Sequence, residues 1–176
     1  MTASARHRGG RAARATATAV AAALLTACVA PRATAEVVEV GGFDVFDCRA
    51  AATPGGIPDG FEPVAAYSCD EFGYEDEAGR WSGTTVRRLE GELAPLLEAF
   101  AAPDDPPSIG PCPTVDMLLI EVWLVDAGDR GIRLRYPLDG CGLPKADDAL
   151  WAVDALRVVA EKHLDAELVE PGDAGP

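Results

Sequence analysis

The chain reads as a single α+β domain: an antiparallel sheet of about four or five strands with two helices and two disulfides. Three observations predict it. Four cysteines follow an export-type leader, an even count that pairs in an oxidising compartment. An almost wholly apolar run at residues 117–125 is followed by a glycine-containing turn and an alternating run at 132–138, the pattern of a β-hairpin. Residues 92–101 and 147–164 repeat apolar positions at helical spacing.

The leader comes first. Residues 1–14 carry Arg6, Arg8, Arg11 and Arg14 and no acid, and residues 16–30 are an unbroken run of small and apolar side chains. That is the basic region and apolar region of a secretory signal. Two processing motifs follow. Leu25-Thr26-Ala27-Cys28 looks like a bacterial lipobox, ending the leader at residue 27 and lipidating Cys28. Ala33-Thr34-Ala35 is an A-x-A site that would release a soluble chain from Glu36. Both stand open, with the balance toward lipidation. The expected organisation is a leader over 1–35, one globular domain over 36–169 and a polar, frayed tail over 170–176. No stretch after residue 35 approaches the roughly 20 apolar residues that span a bilayer. The expected location is extracellular or on the outer face of the membrane, with membrane contact only through a lipid at Cys28.

Elements then follow in order. Residues 36–48 are extended in character, broken at Gly41-Gly42, and residues 49–59 read as loop. Residues 61–69 (FEPVAAYSC) read as a strand, with Pro63 at its start or on an edge. Residues 70–79 read as an acidic loop. Residues 92–101 form a short helix with Leu93, Leu96, Leu97 and Phe100 on one face and Pro95 in its first turn. Val86 and Leu89 continue that face upstream, with a break or kink between Gly91 and Pro95. In the hairpin, one register sets Ile132, Leu134 and Tyr136 opposite Leu124, Val122 and Ile120. It pairs Glu121 with Arg135, and Trp123 with Arg133 as a cation–π contact. Residues 147–164 read as one helix, with Asp147 and Asp148 at its start and Lys162 and His163 at its end.

Composition limits function. Of 15 Lys+Arg and 29 Asp+Glu, only ten basic residues but all 29 acids lie from Glu36 onward, a net charge of −19. Nucleic acid and anionic membrane surfaces are repelled by such a chain. There is no Asn, no Gln and only two Lys, a bias that resembles the proteins of GC-rich bacteria such as actinomycetes. Cys48, Cys69, Cys112 and Cys141 allow three pairings. Cys48–Cys69 and Cys112–Cys141 are favoured because each joins neighbouring predicted elements. No C-x-x-C is present, so neither a zinc knuckle nor a thioredoxin-type pair is supported.

Catalytic chemistry finds little footing. His163 alone follows the leader, and it reads as a solvated residue at a helix C-terminus. Ser68, Ser82 and Ser108 lie in no G-x-S-x-G context. One imidazole cannot supply a histidine-ligated metal site. Asp70, Glu71, Glu75, Asp76 and Glu77 are the densest acids, but EF-hand spacing is not met and they read as a solvated loop. Asp104-Asp105, Asp126 and Asp129 read the same way. Trp123 reads as core, Trp151 as half-buried, and Trp81 as the most exposed tryptophan, able to line a groove. The expectation is a non-enzymatic exported or envelope protein, without metal or cofactor, that binds an unknown protein or small ligand.

Trp81-Ser82-Gly83, Glu90-Gly91-Glu92-Leu93, Cys112-Pro113 and Asp139-Gly140-Cys141-Gly142, in that order, resemble a group of uncharacterised exported actinomycete proteins. More remotely, a helix near Leu93, Cys112-Pro113-Thr114-Val115, a long strand, Gly128-Asp129-Arg130-Gly131, a second strand and Cys141 are similar in order to the streptomycete subtilisin-inhibitor family. The resemblance covers roughly residues 90–141. It implies an antiparallel sheet with two helices and two disulfides, and inhibition of a serine protease. The contact loop would be Cys112, Pro113, Thr114 and Val115, with Thr114 in the specificity pocket. The chain departs from that pattern in its small Thr114, in the placement of its first cysteine pair and in the long segment after Cys141.

Overall fold

The computed structural model describes residues 32–172. Residues 1–31, with Cys28 and its lipobox, and residues 173–176 lie outside the described residues. Seven strands and two helices are present among the described residues, so the α+β class holds with more strands than expected. They are β1 (Val37–Glu39), β2 (Pro63–Asp70), β3 (Tyr74–Asp76), β4 (Gly79–Glu90), α1 (Ala94–Ala101), β5 (Glu121–Asp126), β6 (Arg130–Arg133), α2 (Asp147–Asp154) and β7 (Arg157–Pro171).

All strand pairings are antiparallel. The sheet runs β1-β6-β5-β2-β4. β4 then carries β2 and β3 end to end on one edge and β7 along the other. Period-two alternation divides the central strands between two cores. Ala66, Val122, Leu124 and Ile132 face α1 and α2, meeting Leu96, Phe100, Val153 and Leu156. Tyr67, Cys69, Trp123 and Val125 face the other way, under a flap of residues 40–52 that inserts Val40 and Phe46. That two-sided cover explains the nearly continuous apolar sequence of β5. Trp123 is fully buried and meets Phe46 edge-on at 5.5 Å between centroids.

The disulfides are Cys48–Cys69 and Cys112–Cys141. Hairpin β5–β6 sets Leu124 opposite Ile132 and Trp123 opposite Arg133. The expected ion pair and cation–π contact are rearranged. Arg133 pairs with Glu121, while Arg135 reaches Asp104 at 2.5 Å. The hairpin turn is held by Asp126, which accepts Gly128 N–H, Arg130 N–H and the Arg130 guanidinium, bonds that hold its carboxyl below the usual range.

Four further expectations are corrected. Residues 85–90 are not an upstream helix turn but the end of β4. Gly91, at φ 145°, makes the break into α1, a conformation open to glycine. The expected acidic loop contains β3, hairpinned onto β4. The single helix at 147–164 ends at Asp154, and Arg157 onward is β7. A spacing of four residues, as between Ala160 and Leu164, satisfies strand and helix periods alike, and the adjacent β-branched Val158 and Val159 favour the strand. β7 also absorbs Glu170 and Pro171 from the expected tail. No helix among the described residues is long and apolar enough to cross a membrane.

Candidate functional site

The loop that the subtilisin-inhibitor resemblance marks, residues 112–115, lies at the surface. Residues 111–118 are all exposed, including Val115, Met117 and Leu118, the last 76% exposed. The expected strand start at Met117 is corrected. β5 begins at Glu121, because its neighbour β2 ends at Asp70, leaving residues 117–120 no strand to pair with. Among the described residues, no backbone hydrogen bond joins the peptide groups of residues 113–119 to the protein.

Both ends of this free segment are fixed. Upstream, Asp105 N–H donates to Leu138 O and Ser108 N–H to Gly140 O, laying residues 105–108 along 138–140. Gly140 permits that approach: a Cβ there would lie 2.7 Å from Pro106 O. The disulfide then fixes Cys112 to Cys141, with Cα atoms 5.5 Å apart. Cys141 sits in a turn organised by Asp139, whose carboxylate accepts both Cys141 N–H and Leu143 N–H at 2.8 Å. Downstream, Ile120 O accepts the Tyr136 hydroxyl at 3.0 Å, and burial pushes that phenol up to about 12. Between the ends runs a shallow, mainly apolar groove of about 310 Å³ lined by Met117, Leu119, Leu134, Tyr136 and Pro144.

Asp104 ties this region to the helices. Its carboxylate accepts Arg135, Leu138 N–H and Arg32, and these bonds, that from Arg135 first, hold it well below the usual carboxylate range. Asp105 pairs with Lys145 at 2.7 Å. These acids are structural anchors.

The remaining candidates disperse. Glu71, Glu75 and Glu77 are exposed. Asp70 faces Arg87 at 3.6 Å, and Asp76 accepts Ala78 N–H and Trp81 Nε1–H. Among the described residues no three acids or histidines converge as metal ligands. Trp81 is half-buried, parallel to Tyr74 at 5.9 Å, whereas Trp151 is 77% exposed on α2, the reverse of the sequence expectation. Ser68 is buried, Ser82 Oγ bonds Glu167 O, and Ser108 Oγ accepts Gly110 N–H.

His163 is corrected from a helix end to β7. There its Nδ1 meets Thr85 Oγ1 at 3.1 Å, its Nε2 lies 3.5 Å from Glu161, and its ring stacks on Tyr74 at 3.7 Å. Hydroxyl, imidazole and carboxylate thus stand in the order of a hydrolytic triad. Thr85 is fully buried, however, so its hydroxyl cannot meet a substrate. Its partner is its hydrogen-bond satisfaction. Reading residues 157–164 as a strand would have revealed this pair, since Thr85 and His163 are directly opposed.

No protein-family model matches the chain, and no curated protein or solved structure matches it either. The two disulfides suit an oxidising environment.

Proposed function

We propose that this is an exported, non-enzymatic protein that binds a protein partner through residues 112–119. The observation that carries the reading is a run exposed over residues 112–118 whose peptide groups have no backbone partner among the described residues, fixed at one end by the Cys112–Cys141 disulfide and at the other by Tyr136. A backbone in that state is a template for strand addition. Main-chain hydrogen bonds supply affinity, and alternate side chains such as Val115 and Met117 supply selectivity. Fixing both ends lowers the ordering entropy lost on binding. A photoreactive residue at Met117, in the exporting cell, captures a discrete partner, while one at Val64 on β2 does not. Equal capture from both positions defeats the reading.

One observation favours a narrower version. Cys112-Pro113-Thr114-Val115 is exposed and stapled at Cys112, as the contact loop of a substrate-like serine protease inhibitor would be. In this version Thr114 fills the specificity pocket, and an elastase-like protease with a small pocket is the best-matched target. Titration of the disulfide-intact protein against subtilisin-like, trypsin-like and elastase-like proteases tests it. Saturable stoichiometric inhibition, lost in Thr114→Pro, supports inhibition. Simple digestion at 112–119 removes it and leaves the general binding role.

A further inference from the structure

We infer that the mature protein begins upstream of Arg32, at Cys28, and that Cys28 carries a diacylglyceryl thioether. The inference stands apart from the binding role of residues 112–119. It rests on residues 32–35, which the A-x-A reading assigns to the discarded leader and which the structure uses as part of the domain.

Arg32 closes the C-terminal end of α1. Its Nη1 donates to Phe100 O at 2.5 Å, and its Nη2 to Ala102 O and Asp104 Oδ1, both at 2.9 Å. The last turn of α1 has no basic residue of its own, so its free carbonyls depend on this guanidinium. Beyond it, Gly56 N–H donates to Ala33 O at 2.9 Å and Ala35 N–H to Gly56 O at 2.7 Å. Ala35 is 6% exposed and belongs to the helix-side core. Gly55 supplies an independent sign. A Cβ there would lie 2.5 Å from Thr34 C and 2.6 Å from Ala33 O, so a glycine stands where the 33–35 backbone passes.

Cleavage after Ala35 would strip all of this. Phe100 O and Ala102 O would lose their donor, Asp104 one of its two arginines, and the core the side chain of Ala35. A discarded leader has no reason to be received so closely. Of the two processing motifs, only Leu25-Thr26-Ala27-Cys28 leaves residues 32–35 in place. The cysteine is read as the last position of that motif, behind the basic and apolar regions that the motif requires. In the modification, the Cys28 thiolate attacks the glyceryl carbon that bears the phosphate ester of a diacylglyceryl phospholipid. A C–S bond forms, the C–O bond to phosphate breaks, and the phosphate headgroup leaves, with the thiol proton released to the medium. Water then hydrolyses the Ala27–Cys28 peptide bond.

The test is the full chain, expressed in a bacterial host that processes lipoproteins, with the mature N-terminus read by intact mass and peptide mapping. The expected result is an N-terminal Cys28 with the added diacylglyceryl mass, in the membrane fraction. A mature chain starting at Glu36, or at Cys28 without the lipid mass, overturns the inference. Arg32→Ala gives a second readout. If residues 32–35 are retained, the purified mature variant melts roughly 5 °C below the parent. If the leader ends at Ala35, the substitution is discarded with it and the two proteins melt together, which also overturns the inference.

Discussion

The two disulfides do different things with the same chemistry. Cys69 is 1% exposed on the central strand β2, and its bond to Cys48 draws the 40–52 flap across Tyr67 and Trp123. Cys112 is exposed, and its bond to Cys141 fixes one end of a segment that is exposed to residue 118 and makes no backbone hydrogen bond over 113–119 among the described residues. Their loop separations, 21 and 29 residues, are similar. Chain entropy therefore assigns each about 3 kcal/mol. The difference lies in what each holds in place. One completes a core, and the other positions a surface.

The strongest way to break this contrast is to remove each disulfide in turn. Cys48→Ala with Cys69→Ala should cost about 4–5 kcal/mol, the chain-entropy term plus loosened packing of the flap. Urea unfolding checks it, together with faster hydrogen exchange at Tyr67 and Trp123. Phe46→Ala should cost about 3–4 kcal/mol with the disulfide intact, because Phe46 is the buried plug between Tyr67 and Trp123. Cys112→Ala with Cys141→Ala should cost about 3 kcal/mol, leave exchange in β2 and β5 unchanged, and speed proteolysis at 112–119. Equal core exchange in the two double variants would erase the contrast.

A smaller effect comes with acid. Asp104 carries a depressed pKa in the folded state, so its contribution is complete above the ordinary aspartate range. It falls away as pH drops from about 5 through the depressed value. The stability of the parent should decline with acid below about pH 4. Asp104→Asn should be weaker at pH 7 and decline less, a comparison of urea midpoints across pH. The smallest effect should be Leu118→Ser, within about 0.5 kcal/mol of the parent, since that side chain already faces water.

The same contrast explains what was legible in the sequence. β5 and its register with β6 could be read because both faces of β5 are buried and Ile132 must face the helices. The disulfide pairing was legible because each bond joins neighbouring elements of the chain. β7 was hidden because Ala160 and Leu164 fit a helix as well as a strand, and with it went the contact between His163 and Thr85. β3 was hidden by its acids, which face water on a short hairpin. The candidate loop was legible as a motif at 112–115, but its extent was not. Met117-Leu118-Leu119-Ile120 looks like core in sequence, and only the end of β2 at Asp70 leaves it unpaired.

β7 also sets a schedule. It lies along nearly the whole of β4, with Glu90 opposite Arg157 and Gly79 opposite Pro171, and it is the last of the described elements. For a chain threaded outward from its N-terminus, β2, β4 and β5 emerge and pair while the outer edge of β4 stays bare. Closure waits for β7, across long loops whose ordering is slow. During that interval the bare strand is open to pairing with another emerging chain. The arrival of β7 is thus the step most exposed to misassembly.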